Sequence, residues 1–184
     1  YDFPTPIGLE SKVKFWKKIY SEYSTDHYVV HDMDNLGIIY EVLYIKNGSN
    51  MSRRSREYRL GLVKKKYKKL LLKISRTKKK QSLKGEPKRI YNLVKSNFRK
   101  ASRRIRVQIG QSDRFKSGIE RSGKYKDRIN QIFSEAKLPL ELTVLPHVES
   151  SFQVNAYSSA GAAGIWQFTR GTGRLFMNVG YDVD

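Results

Sequence analysis

Apolar residues near the start of the chain recur at the spacing of one helix face. This face consists of Leu9, Val13, Trp16, Ile19, Tyr20 and Tyr23. Residues three or four positions apart lie on the same side of a helix, so the pattern predicts an amphipathic helix. β-Branched and aromatic residues then dominate positions 28–31 and 38–45, and the polar residues between them include Asp34 and Gly37. This arrangement predicts a small β-hairpin, and a short helix over 36–43 is the alternative.

Two further apolar stripes at helical spacing follow in residues 51–110. The first contains Val63, Tyr67, Leu70, Leu71 and Ile74, and the second contains Ile90, Leu93, Val94, Phe98, Ala101 and Ile105. Gly85 and Pro87 lie between the two stripes, and both residue types end helices and shape turns. The pattern therefore predicts a helical hairpin with a basic outer surface.

Nearly all of the net positive charge lies in this middle segment. The whole chain has 37 Lys and Arg against 17 Asp and Glu, and residues 51–110 hold 23 of the basic residues and 2 of the acidic ones. Such residues often serve only to solvate the outer face of a helix. The alternative interpretation is that they bind a polyanionic surface. A nucleic-acid partner would use aromatic residues as stacking platforms. Because most aromatics here fall on or beside the apolar stripes, no stable nucleic-acid partner is expected.

Composition excludes several classes of protein and site. No apolar run approaches the roughly 18 residues that a membrane span needs. The absence of cysteine excludes disulfides, thiolate zinc sites and cysteine nucleophiles. His27 and His31 are four positions apart in the predicted hairpin without a third ligand nearby, so no metal and no cofactor is expected. The chain opens at Tyr1 without a methionine or a targeting leader, so no signal peptide is expected in it.

The segment with the clearest chemical pattern is 138–173, which reads LPLELTVLPHVESSFQVNAYSSAGAAGIWQFTRGTG. A helix is predicted from Pro139 through Phe152, with an interruption at Pro146 just before Glu149. Val148 and Phe152 are expected to bury Glu149 in part. Burial and the negative end of a helix dipole both favour a protonated carboxyl group, so Glu149 is a candidate general acid. A capping or surface glutamate is the alternative.

A loop of small residues follows Glu149. Residues 156–163 are small or polar apart from Tyr157, and Gly161 and Gly164 allow backbone conformations that other residues resist. Trp166 and Gln167 then place an aromatic ring beside an amide, the composition expected of a sugar-binding subsite. Core packing is the alternative role for Trp166. Thr169 is a predicted N-cap of a last helix.

Together these residues resemble the catalytic domain of bacterial lytic murein transglycosylases, in particular the membrane-bound type D group. The matching residues are Glu149-Ser150, Ser158, Gly161 and Gly164-Ile165-Trp166-Gln167. Counted from Glu149, the serine lies at +9, the glycines at +12 and +15, and the glutamine at +18. The strong resemblance covers residues 136–184. Weaker similarity to the accompanying helical N-terminal region extends over Phe15-Trp16, His31-Asp32 and 105–108.

The resemblance implies a mainly α fold in which an N-terminal helical region with a small β-hairpin precedes the first part of a lysozyme-like domain. It further implies cleavage of the MurNAc-GlcNAc bond of peptidoglycan with formation of a 1,6-anhydro end. Glu149 would be the general acid and base, with no metal or cofactor, and the substrate would be bound by Ser150, Ser158, Gly164, Trp166 and Gln167. The implied location is the periplasm or cell envelope, where the basic segment would also contact anionic polymers.

Charge and resemblance together predict three segments: the helix and hairpin over 1–50, the basic helical hairpin over 51–110, and the lysozyme-like part over 111–184. The family's domain continues to an Ala-Tyr-Asn motif, so this domain is expected to be truncated at Asp184 and the chain to have weak or no activity alone. Glu141 is expected to lie too far from Glu149 to act as a second carboxylate, and nothing marks Asp182 or Asp184 as one. The rival function is a non-catalytic peptidoglycan-binding or envelope scaffold protein, and a basic nucleic-acid-binding protein is the second, weaker alternative.

Overall fold

The computed structural model describes Pro4 and residues 7–178 of the chain. These residues form two compact units, one over 5–112 and the other from Asp113 onwards. Helices dominate both units, and the sheets are small and antiparallel. The predicted mainly α class is therefore confirmed.

The first unit combines four helices with a three-stranded sheet. Its elements are α1 Glu10–Ser21, β1 His27–Asp32, β2 Ile39–Tyr44, α2 Arg53–Arg76, α3 Gly85–Val94, α4 Phe98–Ala101 and β3 Ile105–Ile109, with 3-10 turns at Gly48–Asn50 and Lys80–Ser82. The strand order is β2-β1-β3, and both neighbours run antiparallel to β1. The predicted hairpin is thus confirmed, and the alternative of a helix over 36–43 is wrong.

The main core of this unit lies where α2 and α3 cover the sheet. It contains Val30, Tyr40, Tyr67, Leu71, Ile74, Ile90, Phe98 and Ala101, all buried. Tyr67, Leu71 and Ile74 are the face of α2 that the apolar spacing predicts. Since β3 from the basic segment pairs with β1 from the N-terminal segment, the charge boundary near residue 50 is not a boundary of packing.

The second helix of the predicted basic hairpin is shorter than its apolar stripe. The stripe predicts one helix as far as Ile105, but α3 ends at Val94, and Lys95 and Asn97 have positive φ angles of 64° and 54°. Ile105 begins a strand, so this part of the prediction is wrong. Ile105, Val107 and Ile109 alternate with polar residues, which is the two-residue period of a strand.

A buried ion pair joins the end of β1 to the residue before β3. Asp32 is fully buried, and its Oδ2 accepts from Arg104 Nε at 3.1 Å and Nη2 at 2.9 Å. Its Oδ1 accepts from the backbone N–H groups of Asp34 and Asn35 at 2.9 and 3.0 Å. Arg104 also contacts Asp34, which is half exposed. One carboxylate thus closes the β1–β2 turn and connects it to β3.

The second unit is built from short helices and one small hairpin. Its elements are α5 Ser112–Ser122, α6 Lys126–Glu135, a 3-10 turn Leu140–Val144, α7 Leu145–Glu149, β4 Ala162–Ala163, β5 Phe168–Thr169 and α8 Arg170–Phe176. Among its described residues Pro146 and Phe152 are buried, whereas many apolar side chains are exposed: Val144, Leu145, Val148, Tyr157, Leu175 and Phe176. Within the described residues, no helix is both long and apolar enough to cross a membrane.

The predicted helix over 139–152 is divided at Val144. Pro146 lies in the first turn of α7, where its missing N–H is not needed, so the interruption falls before Leu145 rather than inside a continuous helix. The helix ends at Glu149, and Ser151 and Phe152 have positive φ angles of 53° and 56°. The prediction that Phe152 lies on the helix is therefore wrong.

Candidate active site

Glu149 is the last residue of α7 and its side chain is exposed. Its carboxylate forms no hydrogen bond and no ion pair with any other residue that the structure describes. The predicted partial burial is wrong because Val148 is itself 55% exposed and Phe152 turns away into the interior, where it is 3% exposed. A carboxylate at this position can reach a ligand without any rearrangement of the protein.

Ser150 fixes the end of α7 to the loop that follows. Its hydroxyl donates to the backbone carbonyl of Ile165 at 2.9 Å and lies 3.4 Å from that of Pro146. Neither bond involves the side chain of Glu149. The bond to Ile165 links Ser150, which directly follows Glu149, to the residue that directly precedes Trp166. It therefore holds the two parts of the candidate site together.

The small-residue loop forms a tight hairpin at residues 157–169. Ser158 closes it, since its Oγ accepts from the N–H of Ala162 at 3.0 Å and its own N–H donates to the Ala162 carbonyl at 2.8 Å. Gly161 and Gly164 have φ angles of 78° and 74°, in the region that favours glycine. The expectation for the two glycines is thus confirmed. Thr169 caps α8 by accepting from the N–H of Thr172 at 3.3 Å, as the sequence predicts.

The side chain of Gln167 braces this loop from inside. Its Nε2 donates to the carbonyl of Gly164 at 2.8 Å and to that of Ala156 at 3.3 Å. Both amide hydrogens are thus used within the loop. The Oε1 atom makes no hydrogen bond among the described residues, so it can accept one from a ligand.

Trp166 is half-buried and stacks on Phe133 of α6. The ring centroids are 5.8 Å apart and the rings are 13° from parallel. Offset stacking of this kind fixes the orientation of an aromatic ring. The indole therefore combines packing with retained accessible surface, the property needed to contact one face of a sugar ring.

An aromatic cluster supports α7 from the interior side. His147 lies 4.6 Å from Phe152 and 5.4 Å from Phe115, measured between ring centroids, and Phe152 stacks on Tyr125. Burial lowers the pKa of His147, and its buried Nδ1 has no hydrogen-bond partner among the described residues. Sequence reasoning missed this cluster because its members are distant in the chain. The available signal was that His147 precedes Glu149 by two positions and so faces the opposite side of the helix.

This cluster predicts a loss of stability in mild acid. Because the pKa of His147 is lower in the folded than in the unfolded state, the unfolded chain binds more protons, and the unfolding free energy falls as pH drops below about 6.5. Replacing His147 with leucine should reduce this dependence. Denaturant unfolding at several pH values measures it, and an unchanged slope in the variant would contradict the assignment. Burial also lowers the pKa of His31, so the dependence should shrink rather than disappear.

Carboxylates and histidines do not assemble into a metal site here: the described residues contain no cluster of three His, Cys, Asp or Glu that could hold an ion. Glu141 lies in the 3-10 turn and borders an open groove formed by residues 137–141. Asp182 and Asp184 lie outside the described residues.

A protein-family model matches this part of the chain. Residues 133–183 match the family model described as Transglycosylase SLT domain. Over 39 residues the chain is 54% identical to the membrane-bound lytic murein transglycosylase D of Escherichia coli strain K12, and equally to the protein of that name from Escherichia coli O6:H1 strain CFT073.

These matches cover 21% of this chain and 9% of each relative, so the chain matches only a small part of their length. No solved structure matches the chain significantly. The resemblance to lytic transglycosylases that the spacing around Glu149 indicates is thereby confirmed for residues 133–183, the part of the chain that matches the SLT domain family.

Proposed function

We propose that this chain contributes the general acid and part of the glycan-binding surface of a peptidoglycan lytic transglycosylase. The enzyme would cleave the MurNAc-GlcNAc bond and leave a 1,6-anhydro-MurNAc end. One observation carries the proposal: the hydrogen bond from Ser150 to Ile165 fixes Glu149 beside the Gly164–Gln167 block, within the segment that matches the SLT domain. The location that fits this substrate is the cell envelope.

In the proposed reaction, Glu149 alone moves the proton. The protonated carboxyl gives its proton to the glycosidic oxygen as the bond to C1 breaks. The resulting carboxylate then takes the proton of the C6 hydroxyl while that oxygen attacks C1, which closes the anhydro ring and restores the acid. The reaction consumes no water, and the 2-acetamido group of the substrate can stabilise the positive charge at C1.

Because Glu149 is exposed in the free protein, a bound glycan would have to remove water from its carboxyl group. A carboxyl group in water is mostly ionised at neutral pH, and removal of that water favours its protonated form. A glycan strand lying across α7 would cover the carboxyl group together with the exposed side chains of Val144 and Val148. Substrate binding would thus create the environment that the sequence predicts for the free protein.

The surrounding residues have separate proposed roles. Trp166 would contact the face of a sugar ring, and the free Oε1 of Gln167 would accept from a hydroxyl or acetamido N–H group. Ser158 and Gly164 would bring the backbone of the loop close to the strand. Glu141 lies in the 3-10 turn Leu140–Val144, which ends before α7 begins, so it does not share a helix with Glu149. The proposed reaction uses Glu149 alone and not the paired carboxylates of other glycosidases.

Ser150 is proposed to position Glu149, which predicts a selective loss of rate. Ser150→Ala should lower kcat about tenfold, with stability reduced by about 1 kcal/mol, the contribution of one hydrogen bond. Ser151→Ala is the matched control, because the Ser151 hydroxyl contacts only the carbonyl of His147, at 3.5 Å. Turnover of purified sacculi by the longest form of the protein that can be expressed measures both variants. Equal losses of kcat in the two would contradict the positioning role.

The rival function is non-catalytic binding of peptidoglycan, which the open position of Glu149 also permits. The two are separated by incubating that longest form with purified sacculi and measuring both sedimentation with the sacculi and release of soluble muropeptides. Release of muropeptides supports the transglycosylase. Binding without release, under conditions in which a known lytic enzyme digests the same sacculi, would assign the segment to binding alone.

A further inference from the structure

Basic residues on one side of the first unit form a continuous surface that the proposed reaction does not use. The basic track is defined here as Lys65, Lys68, Lys69 and Arg76 of α2 together with Arg103 and Arg106, which flank the start of β3. All six side chains are exposed. Lys65, Lys69 and Arg76 are spaced by four and seven residues, so they lie along one face of the helix.

Two open grooves follow this face. The first, of about 580 Å³, is lined by Lys64, Lys65, Lys68, Ser102, Arg103, Ile105 and Arg106. The second is lined by Lys69, Leu72, Lys73, Arg76 and Thr77. No carboxylate borders either groove. From Lys65 to Arg76 the helix rises by about 17 Å, so the surface is long rather than compact.

The basic track lacks internal charge compensation. None of its six residues forms a salt bridge among the described residues, whereas the neighbouring Lys66 of α2 pairs with Glu41 at 3.4 Å and with Glu86 at 3.0 Å. Like charges four residues apart, such as Lys65 and Lys69, destabilise a helix by about 0.2–0.5 kcal/mol per pair. An external polyanion that lies along the track would remove this repulsion.

The lining favours phosphate as the ligand group. Arginine binds phosphate through two parallel N–H donors, and lysine adds compact positive charge. No aromatic side chain lines either groove: Tyr67 is buried beneath α2, and Phe98 is buried and stacked on Tyr91. The exposed Tyr58 lies about 10 Å before Lys65 along the helix. Tyr58 is seven positions before Lys65 and so lies on the same face of α2, but outside both grooves. The grooves themselves can therefore recognise a charged backbone without a stacking platform for bases.

We propose that the basic track binds an extended, base-free phosphodiester strand, such as a polyol-phosphate or sugar-phosphate polymer, through its phosphate groups. Positive charges arranged in a line along one helix face fit an extended strand better than they fit the broad surface of a bilayer. Binding does not depend on Glu149 or on the proposed reaction. The Glu149→Gln variant is therefore expected to bind the strand with unchanged affinity, which separates the failure of one proposal from the failure of the other.

Fluorescence anisotropy with a labelled poly(glycerol phosphate) tests the proposal. With about five phosphate contacts, affinity should fall about 100-fold between about 50 and 200 mM salt. Lys65→Glu/Lys69→Glu should weaken binding at least tenfold. Lys12→Glu/Lys17→Glu on α1 changes the net charge equally and should weaken it by less than about twofold. The first variant should stay folded, because it exchanges one like-charge pair for another and its glutamates gain Lys66, Lys68 and Lys73 as neighbours three or four residues away.

Other probes identify the source of the phosphates. An oligothymidylate with the same number of phosphates should bind with similar affinity, and Tyr58→Ala should leave both affinities unchanged. An oligonucleotide that binds more than tenfold tighter, with Tyr58→Ala abolishing the difference, would overturn the base-free assignment in favour of nucleic acid. Binding to anionic lipid vesicles but not to either polymer would overturn it in favour of a membrane surface. Equal losses in the two charge-reversal variants would show that net charge, rather than the track, determines binding.

Discussion

Replacement of Glu149 with glutamine is expected to lower the release of anhydro-muropeptides from sacculi at least about 100-fold, the lower end of what general acid catalysis contributes. Glutamine has nearly the shape of glutamate but can neither donate the acid proton nor accept one from the C6 hydroxyl. The exposed side chain makes no hydrogen bond or ion pair within the described residues, so the change should leave stability and sacculus binding unaltered. Chromatographic quantification of the products measures the loss.

Glu141→Gln is the matched control for this prediction. Glu141 lies in the 3-10 turn before α7, in the same unit, and its replacement removes the same charge. We expect it to retain the parent rate within about twofold, because Glu141 has no part in the proposed reaction. A substitution of this kind usually changes stability by less than about 0.5 kcal/mol. Equal product yields from Glu149→Gln and the parent would remove Glu149 from the proposed role, and equal losses in both variants would point to an effect of net charge.

Asp32→Ala is expected to destabilise the first unit by about 3–5 kcal/mol, the usual cost of removing one partner of a buried ion pair. Arg104, whose side chain is 18% exposed, would lose its fully buried partner, and the N–H groups of Asp34 and Asn35 would lose their acceptor. Since a small domain is stable by only about 5–15 kcal/mol, this is a large fraction of the total. Urea denaturation followed by circular dichroism measures the change.

The Asp34→Ala variant shows whether the loss of stability in Asp32→Ala comes from the buried position of the ion pair or from ion pairing alone. Asp34 contacts the same arginine at 3.0 Å, but its side chain is 47% exposed. Exposed pairs contribute about 0–1 kcal/mol, so this variant should unfold close to the parent. Similar losses in the two variants would show that the buried position of Asp32 is not what makes its ion pair important.

Periodicity predicted those parts of the fold in which one face of an element is buried. The stripe through Tyr67, Leu71 and Ile74 identifies α2, and β-branched and aromatic residues on either side of polar turn residues identify the β1–β2 hairpin. It failed at Ile105, because an apolar residue seven positions after Phe98 fits a helical stripe as well as the start of a strand. The two-residue alternation over 105–109 favours the strand, and the pairing of β3 with β1 shows that it forms.

At the site, local backbone chemistry was predictable and tertiary contacts were not. The positive φ angles of Gly161 and Gly164 and the cap at Thr169 follow from residue type. The prediction that Glu149 is partly buried was wrong because it assumed that the helix continues through Phe152, whereas the chain turns after Glu149. The partner of Ser150 is 15 residues away along the chain, a separation at which no helix or strand period applies.

Product analysis in water enriched in heavy oxygen tests most directly whether a single carboxyl group performs the cleavage. If Glu149 catalyses attack by the sugar's own C6 hydroxyl, muropeptides released from sacculi will end in 1,6-anhydro rings, each lighter than a hydrolysed end by one water, and will contain no heavy oxygen at C1. Reducing ends that carry heavy oxygen would contradict this account, since they require a water nucleophile and hence hydrolysis.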